Sequence, residues 1–170
     1  MANGVAGSGC FISEVQFMTS ASSEHEMAMN SEPNEGVTRI LTVFSVSSDE
    51  EDHVALRQIL TGSRHIYLNV KVETGANVAS ALAVLQKRRI PIVLIACDLS
   101  GSWRDLLEHS SRLPAPPLVI VTSWLADEQL WAEALNVGAW DVLAKPFDVQ
   151  EVCRVVESAW SHWSARHKHR

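Results

Sequence analysis

Short apolar segments alternate with helical apolar patterns along most of this 170-residue chain. The apolar segments are rich in Val and Ile and predict five strands, at residues 39–46, 66–72, 92–95, 118–121 and 141–144. After each strand, apolar residues recur at spacings of three and four, which predicts a helix. Five strand-helix units indicate an α/β fold with a parallel sheet. Right-handed crossovers then favour a doubly wound sheet of order 2-1-3-4-5 with helices on both faces.

The two ends of the chain differ in composition from the part between them. Residues 1–36 are rich in Ser, Gly, Asn, Met and Glu, and their large apolar residues form one short cluster between Phe11 and Phe17. This composition predicts a disordered N-terminal extension, with a brief docking helix as the alternative. Residues 37–165 form the predicted domain, and 166–170 a basic tail that we interpret as a solvated helix end. So little chain follows the last helix that we expect a stand-alone domain without an output domain.

The overall composition narrows the range of function classes. Hydrophobic residues make up 46% of the chain and charged residues 20%, which is typical of a globular protein. The net charge of −6 and the lack of a basic stripe argue against nucleic-acid binding, so we expect protein partners. The three cysteines (Cys10, Cys97 and Cys153) lack CxxC spacing, which argues against a zinc site or a disulfide framework. Without a signal peptide or a spanning apolar run, we expect a cytoplasmic protein, a monomer or weak dimer, that does not bind membranes.

Candidate site residues follow the strands, because ligands of open parallel sheets gather at the carboxyl ends of the strands. The residues at these positions are Ser47 and Ser48 after the first strand, Ala96, Cys97 and Asp98 after the third, Thr122 and Ser123 after the fourth, and Lys145, Pro146 and Phe147 after the fifth.

The groups after the fourth and fifth strands carry a family resemblance. Thr122-Ser123 after an apolar strand, followed by a Gly138-to-Phe147 segment that ends in Lys-Pro-Phe, resembles the receiver domain of two-component response regulators. The resemblance implies a flavodoxin-like or receiver-like three-layer sandwich. It also implies an acidic pair that holds Mg²⁺ after the first strand, and an Asp after the third that takes a phosphoryl group from a phosphohistidine. The Thr and Lys would bind the phosphoryl oxygens, and the partners would be a histidine kinase or a downstream effector.

The sequence departs from this pattern at the acidic pair. Ser47 and Ser48 occupy the acidic positions, and two hydroxyls cannot replace two carboxylates as Mg²⁺ ligands, so we predict no metal and no other cofactor. We interpret the acidic run from Asp49 to Asp52 as a solvated first helical turn, which would reach the site only if the helix began later. Lys145 is then left without an evident acidic partner, and we expect it to bond to Asp98 or to backbone carbonyls.

The phosphoacceptor position has two candidates. Directly after the apolar run stands Ala96, and the following Asp98-Leu99 matches the family's polar-then-Leu/Met pair, which places Ala96 at the acceptor position. A strand shifted by two residues would make Asp98 the acceptor instead. Val142 also stands where the family usually has an aromatic residue in the fifth strand. These departures indicate a degenerate site.

Three functions remain open. The first is a non-enzymatic pseudo-receiver, a protein-protein signalling module of a two-component phosphorelay. The second is a working response regulator that is phosphorylated on Asp98 with Mg²⁺. The third, a small α/β nucleotide-binding protein or enzyme, has no GxGxxG, P-loop or GxSxG motif in its support.

Overall fold

The computed structural model describes residues 40–62, 64, 66, 68–99 and 102–167. The predicted disorder of residues 1–36, the strand start at residue 39 and the last three residues of the basic tail lie outside this described part. Within it, strands and helices alternate in chain order: β1 (Ile40–Val46), α1 (Glu50–Gly62), β2 (Asn69–Gly75), α2 (Val78–Lys87), β3 (Ile92–Ala96), α3 (Trp103–Ser111), β4 (Leu118–Ser123), α4 (Glu128–Asn136), β5 (Asp141–Ala144) and α5 (Val149–His167).

The strands form one parallel sheet of order β2-β1-β3-β4-β5. Each strand is joined to the next in sequence by a helix, as parallel pairing requires. This topology confirms the predicted doubly wound fold. None of the helices in the described residues combines the length and apolar character needed to cross a membrane.

Two apolar cores lie on opposite faces of the sheet because successive strand side chains point to opposite sides. On one face, Val93 and Ile95 of β3 pack with residues of α2, α3 and α4. On the other face, Ile92 and Leu94 pack with residues of α1 and α5. All five residues of β3 are buried. The central strands are therefore held rigidly, and their carboxyl ends provide a fixed base for a site.

Side-chain caps and one glycine fix the helix ends. The side chains of Asn77 and Asp127 accept hydrogen bonds from backbone N–H groups in the first turns of α2 and α4. After α4, Gly138 has a φ of 98°, and the N–H of Ala139 donates to the carbonyl of Ala134 at 2.9 Å. This arrangement is a Schellman motif, which favours glycine at the left-handed position. Gly138 ends the helix as the sequence predicts.

Two details of the sequence prediction were wrong. The second strand, predicted at residues 66–72, runs from Asn69 to Gly75, because its pairing with β1 places Asn69 opposite Ile40. Ile66 lies before the strand and packs against the core that α1 and α5 cover. The sequence spacing of Leu130, Ala134 and Val137 predicts that all three point inward, but Val137 follows the last residue of α4 and is 43% exposed.

Candidate functional site

The carboxyl ends of β3, β4 and β5 lie side by side. The N–H of Cys97 donates to the carbonyl of Thr122 at 2.9 Å, and the N–H of Lys145 donates to the carbonyl of Ser123 at 2.8 Å. On the other side of β3, Ser47 follows the last residue of β1. The backbone thus places Ser47, Ala96, Thr122 and Lys145 along one edge of the sheet.

A buried ion pair lies at this edge. The ammonium group of Lys145 donates to Oδ2 of Asp52 at 2.5 Å. Asp52 is 5% exposed and Lys145 6% exposed. The hydroxyl of Ser47 donates to the same Oδ2 at 2.6 Å. Two short hydrogen bonds therefore hold this carboxylate oxygen, and the cation after β5 is bound to the first turn of α1.

The position of Asp52 contradicts two expectations from the sequence. Lys145 does have an acidic partner, and that partner is Asp52 rather than Asp98 or a backbone carbonyl. The acidic run is solvated only in part, since Glu50 and Glu51 are exposed while Asp52 is buried. The helix begins at Glu50, so a later start is not what brings Asp52 inward.

The burial of Asp52 follows from its helical spacing to two leucines, and this spacing can be read from the sequence. Asp52 lies four residues before Leu56 and eight before Leu60, so all three share the inner face of α1. By the same spacing, Glu50 and Glu51 fall outside this face. Asp49, seven residues before Leu56, would fall on it, but Asp49 precedes the first residue of α1 and is exposed. The spacing together with the start of the helix therefore distinguishes Asp52 from its acidic neighbours.

His53 and the end of β1 position Ser47. The backbone N–H of Asp49 donates to the Ser47 hydroxyl oxygen at 3.1 Å. His53 is 4% exposed, with Nε2 3.2 Å from the Ser47 carbonyl oxygen and Nδ1 2.9 Å from the Ser45 hydroxyl. These partners fit a ring that donates from Nε2 and accepts at Nδ1. Sequence analysis missed His53, although it directly follows the acidic run. Ser48, in contrast, is exposed.

Ala96 and Asp98 have different surroundings. Ala96 is the last residue of β3, is 1% exposed and is the register partner of Thr122. Partners in parallel strands project from the same face, so the methyl group of Ala96 lies beside buried Thr122. Asp98 is exposed in the turn after β3. The ion pairs found among the described residues do not include Asp98.

The rim of the site carries one of the two tryptophans that flank it in the sequence. The ring centroid of Trp124 lies 5.8 Å from the Lys145 ammonium nitrogen, within cation-π range, and Trp124 is 64% exposed. From the sequence, Trp124 after the fourth strand and Trp140 before the fifth are both predicted to flank the rim of the site. Trp140 instead lies at the other end of the sheet, where its backbone N–H donates to the Val119 carbonyl and its ring contacts His162. Only Trp124 of this pair can report on Lys145.

Comparison with known proteins identifies the family. The family model of the response regulator receiver domain matches residues 50–157. This chain belongs to the response regulator receiver domain family. The matched range begins at the first residue of α1, after Ser47 and Ser48, and ends within α5. Receiver domains are signalling modules of two-component systems that interact with histidine kinases and effectors.

Relatives and solved structures agree with this assignment. The DNA-binding transcriptional regulator NtrC of Escherichia coli (strain K12) is 34% identical over 132 residues, which cover 75% of this chain and 26% of NtrC. The transcriptional regulatory protein ZraR of Salmonella typhimurium is 34% identical over 96 residues, which cover 52% of this chain and 22% of ZraR. The chain therefore spans about a quarter of the length of the curated relatives that it matches.

The solved structures confirm the fold. The signal receiver domain of an HD domain-containing protein from Pseudomonas fluorescens Pf-5 matches with a TM-score of 0.67 and 26% identity, covering 79% of this chain and 96% of that domain. A CheY-like receiver domain protein from Methanospirillum hungatei JF-1 matches with a TM-score of 0.63 and 18% identity, covering 75% and 99%.

The residues of this receiver domain do not fit the Mg²⁺ ion that the family implies. Mg²⁺ prefers charged oxygen ligands in a nearly ideal octahedron. At the strand ends, the buried carboxylate is Asp52, and its Oδ2 is already held by Lys145 and Ser47. The described residues contain no group of three or more His, Cys, Asp or Glu side chains placed to hold a metal ion.

Proposed function

We propose that this receiver domain is a pseudo-receiver, a non-enzymatic module that binds signalling partners without accepting a phosphoryl group at its strand ends. The observation that supports this most directly is the buried ion pair of Asp52 and Lys145. In this pair Lys145, the cation that would bind a phosphoryl group, is already bound to a carboxylate of the protein. A histidine kinase or a downstream effector is the proposed partner, rather than a nucleic acid or a membrane. We place the domain in the cytoplasm, as a monomer or weak dimer.

The charges around Lys145 argue against phosphoryl transfer. Transfer to a carboxylate crowds negative charge, which a metal ion and fixed cations must offset. Here Asp52 neutralises Lys145, and its own charge would repel an incoming phosphoryl group. Freeing the ammonium group would leave the Asp52 carboxylate unpaired in a buried place, which is strongly unfavourable.

The side chains at the acceptor position support the same proposal. Ala96, beside Thr122, has no oxygen with which to attack phosphorus. The nearest carboxylate along the chain, Asp98, is exposed in the following turn. Phosphorylation of Asp98 is the alternative function, and it would require the turn to bring this side chain towards Lys145.

Treatment with a small phosphodonor tests the proposal. The protein is incubated with acetyl phosphate and millimolar Mg²⁺, and its intact mass is measured. We expect no species that carries an added phosphoryl group. A phosphorylated species that disappears in Asp98→Asn would overturn the pseudo-receiver proposal and establish Asp98 as the acceptor.

A gain-of-function variant tests whether the missing carboxylates are the cause. Ser47→Asp, Ser48→Asp and Ala96→Asp restore the family's acidic residues, and Asp52→Leu frees Lys145 from its partner. We expect the combined variant to take up a phosphoryl group from acetyl phosphate only when Mg²⁺ is present. The matched control keeps Ala96 and carries the other three changes, and it should remain unmodified. Failure of a folded combined variant to react would mean that these residues do not explain the inactivity.

A further inference from the structure

A cavity of about 160 Å³ opens at the amino-terminal end of β4. The end of α3, the loop at Pro116 and Pro117, Gly138 and the last turn of α5 surround it. In a parallel sheet the amino and carboxyl ends of the strands lie at opposite edges, so this cavity is at the far end of the domain from Lys145. The proposed function makes no use of it.

The cavity has an apolar side beside a polar one, and the apolar side is held in place by several contacts. Leu107, Leu118 and Val119 supply aliphatic surface, and Trp163 supplies an aromatic one. The indole N–H of Trp163 donates to the Pro116 carbonyl at 3.0 Å. Its ring lies between the rings of Trp160 and His167, at centroid distances of 5.8 Å and 4.2 Å. The cavity therefore has a preorganised apolar side before any ligand arrives.

The side chains of Arg166 and His167 lie along the cavity. Among the described residues, its lining includes no acidic side chain. Arg166 is absent from the ion pairs found among the described residues, 40–62, 64, 66, 68–99 and 102–167. His167 uses Nδ1 to donate to the Trp163 carbonyl at 2.7 Å, which leaves Nε2 for another partner.

The remaining polar side chains of the lining are not available as donors. The hydroxyls of Ser110 and Ser111 donate to the carbonyls of Leu107 and Glu108. The principal donor left for an anion is thus the guanidinium group of Arg166. Its planar fork matches the two oxygens of a carboxylate.

We propose that this cavity binds a small organic carboxylate with a flat apolar body. The body would lie against Leu107, Leu118 and Trp163, and the carboxylate would bond to Arg166. A cavity volume of about 160 Å³ has room for a ligand of about the size of benzoate. The proposal is independent of the chemistry at Lys145.

Titration of the full chain with benzoate, followed by NMR of the N–H groups, tests the proposal. Trp163→Phe assigns the indole signal of Trp163, which reports on the cavity together with the amide of Gly138. We expect the chemical shifts of both signals to change with benzoate concentration until they saturate, with a dissociation constant of about 1 mM for so small a ligand. Neutral benzamide, which has the same shape, should bind about ten-fold more weakly or not at all.

Variants separate a specific site from general attraction to positive charge. Arg166→Gln should weaken benzoate binding about ten-fold, as expected for loss of a charge-assisted hydrogen bond. Arg154→Gln removes an exposed charge from the same helix, outside the cavity lining, and should leave the affinity unchanged. Leu107→Phe fills the cavity, keeps Arg166 and should abolish the shifts.

Several results would overturn the proposal. These are the absence of saturable shifts in the wild-type protein, equal binding of benzamide, or unchanged affinity in Arg166→Gln. Equal weakening by Arg154→Gln and Arg166→Gln would show that benzoate responds only to the net charge of α5, and would also overturn it.

Discussion

Asp52 is a charged residue at a position of α1 where the helix otherwise presents leucines to the core. Transfer of a lone carboxylate from water to such a place is very unfavourable, so its burial depends on the ammonium group of Lys145 and the hydroxyl of Ser47. The pair as a whole is not a strong source of stability, because both ions lose their hydration. However, each of the two buried charges requires the other, since loss of either partner leaves one charge buried and unpaired.

A double-mutant cycle on this pair gives the first prediction. Asp52→Leu or Lys145→Met alone should lower the free energy of unfolding by about 3–5 kcal/mol, because each leaves one charge buried and unpaired. The combined variant should be more stable than either single variant, since no buried charge remains. Urea denaturation of the four proteins measures the effect.

Glu51→Gln is the matched control for this cycle. Glu51 precedes Asp52 in the first turn of α1 but is exposed, so its replacement should change stability by less than about 0.5 kcal/mol. Additive effects of Asp52→Leu and Lys145→Met would contradict the prediction, because they would mean that the two charges do not depend on each other.

The site residues show how far sequence reasoning reaches at this scale. Ala96 and Thr122, predicted directly after their strands, are the last residue of β3 and the last but one of β4, because these continuous apolar segments mark the strand ends to within two residues. The partner of Lys145 could not be found from strand ends alone, since Asp52 comes from a helix. Its inward direction follows from the spacing to Leu56 and Leu60, but the specific contact with Lys145 requires the packing of α1 beside the end of β5.

At the scale of elements, an exposed group of charges joins the edge strand β2 to the end of α2. Glu73 of β2 accepts hydrogen bonds from both terminal nitrogens of Arg88, at 2.5 Å and 3.0 Å. Lys71 lies 3.0 Å from the same carboxylate. The hydrogen bonds from Arg88 hold the pKa of Glu73 below its ordinary value, against the opposing effect of partial burial, and Lys71 adds to the lowering.

This lowered pKa gives the second prediction. Because the folded-state pKa of Glu73 lies below the unfolded value, the stabilisation is present above the unfolded pKa and is lost as the pH falls through the folded pKa. In Arg88→Gln, the pKa of Glu73 should rise towards its ordinary value, as measured by NMR titration of the side-chain carboxyl carbon. Arg89→Gln, a change in the neighbouring exposed arginine, should leave the Glu73 titration where it is. An unmoved pKa in Arg88→Gln would show that the ion pair is absent in solution.

The start of α4 gives the third prediction. Oδ1 of Asp127 accepts the backbone N–H of Leu130 at 2.8 Å, so Asp127 is the N-cap. Asp127→Ala should reduce the free energy of unfolding by about 1 kcal/mol. Asp127→Asn retains a capping oxygen and should cost only a few tenths of that amount. Denaturant unfolding compares the two variants, and equal losses would indicate that capping is not the cause.

Element boundaries were predicted best where apolar runs are continuous. The strands β3, β4 and β5 lie within two residues of their predicted positions. At the edge, β2 alternates polar and apolar residues, and its position is set by pairing with β1 rather than by its own pattern. The predicted start of β2 at Ile66 is three residues too early. An apolar residue that packs on the core just before a strand cannot be distinguished in sequence from one inside the strand.

At the scale of the whole molecule, the order of the five strand-helix units in the sequence is enough to predict the topology of the sheet. Helical connections, right-handed crossovers and apolar strands leave few arrangements, and the observed order is the one predicted. The two cores close around the sheet with residues that run from Leu41 to Trp160. The five strands pair with one another without an additional strand from the described part of the chain.

The last prediction concerns the residues that precede this sheet. Residues 1–36 contain few large apolar side chains beyond the cluster between Phe11 and Phe17, which is little apolar area to offset the entropy of ordering so long a segment. A chain that begins at Val37 should therefore fold and melt at nearly the same temperature as the full chain, as measured by calorimetry. A fall of more than about 5 °C would correspond to a loss of about 1 kcal/mol in a domain of this size. Such a fall would contradict the prediction. If the full chain with Phe11→Ser and Phe17→Ser then melted at the same lower temperature as the shortened chain, the apolar cluster would be shown to pack on the domain.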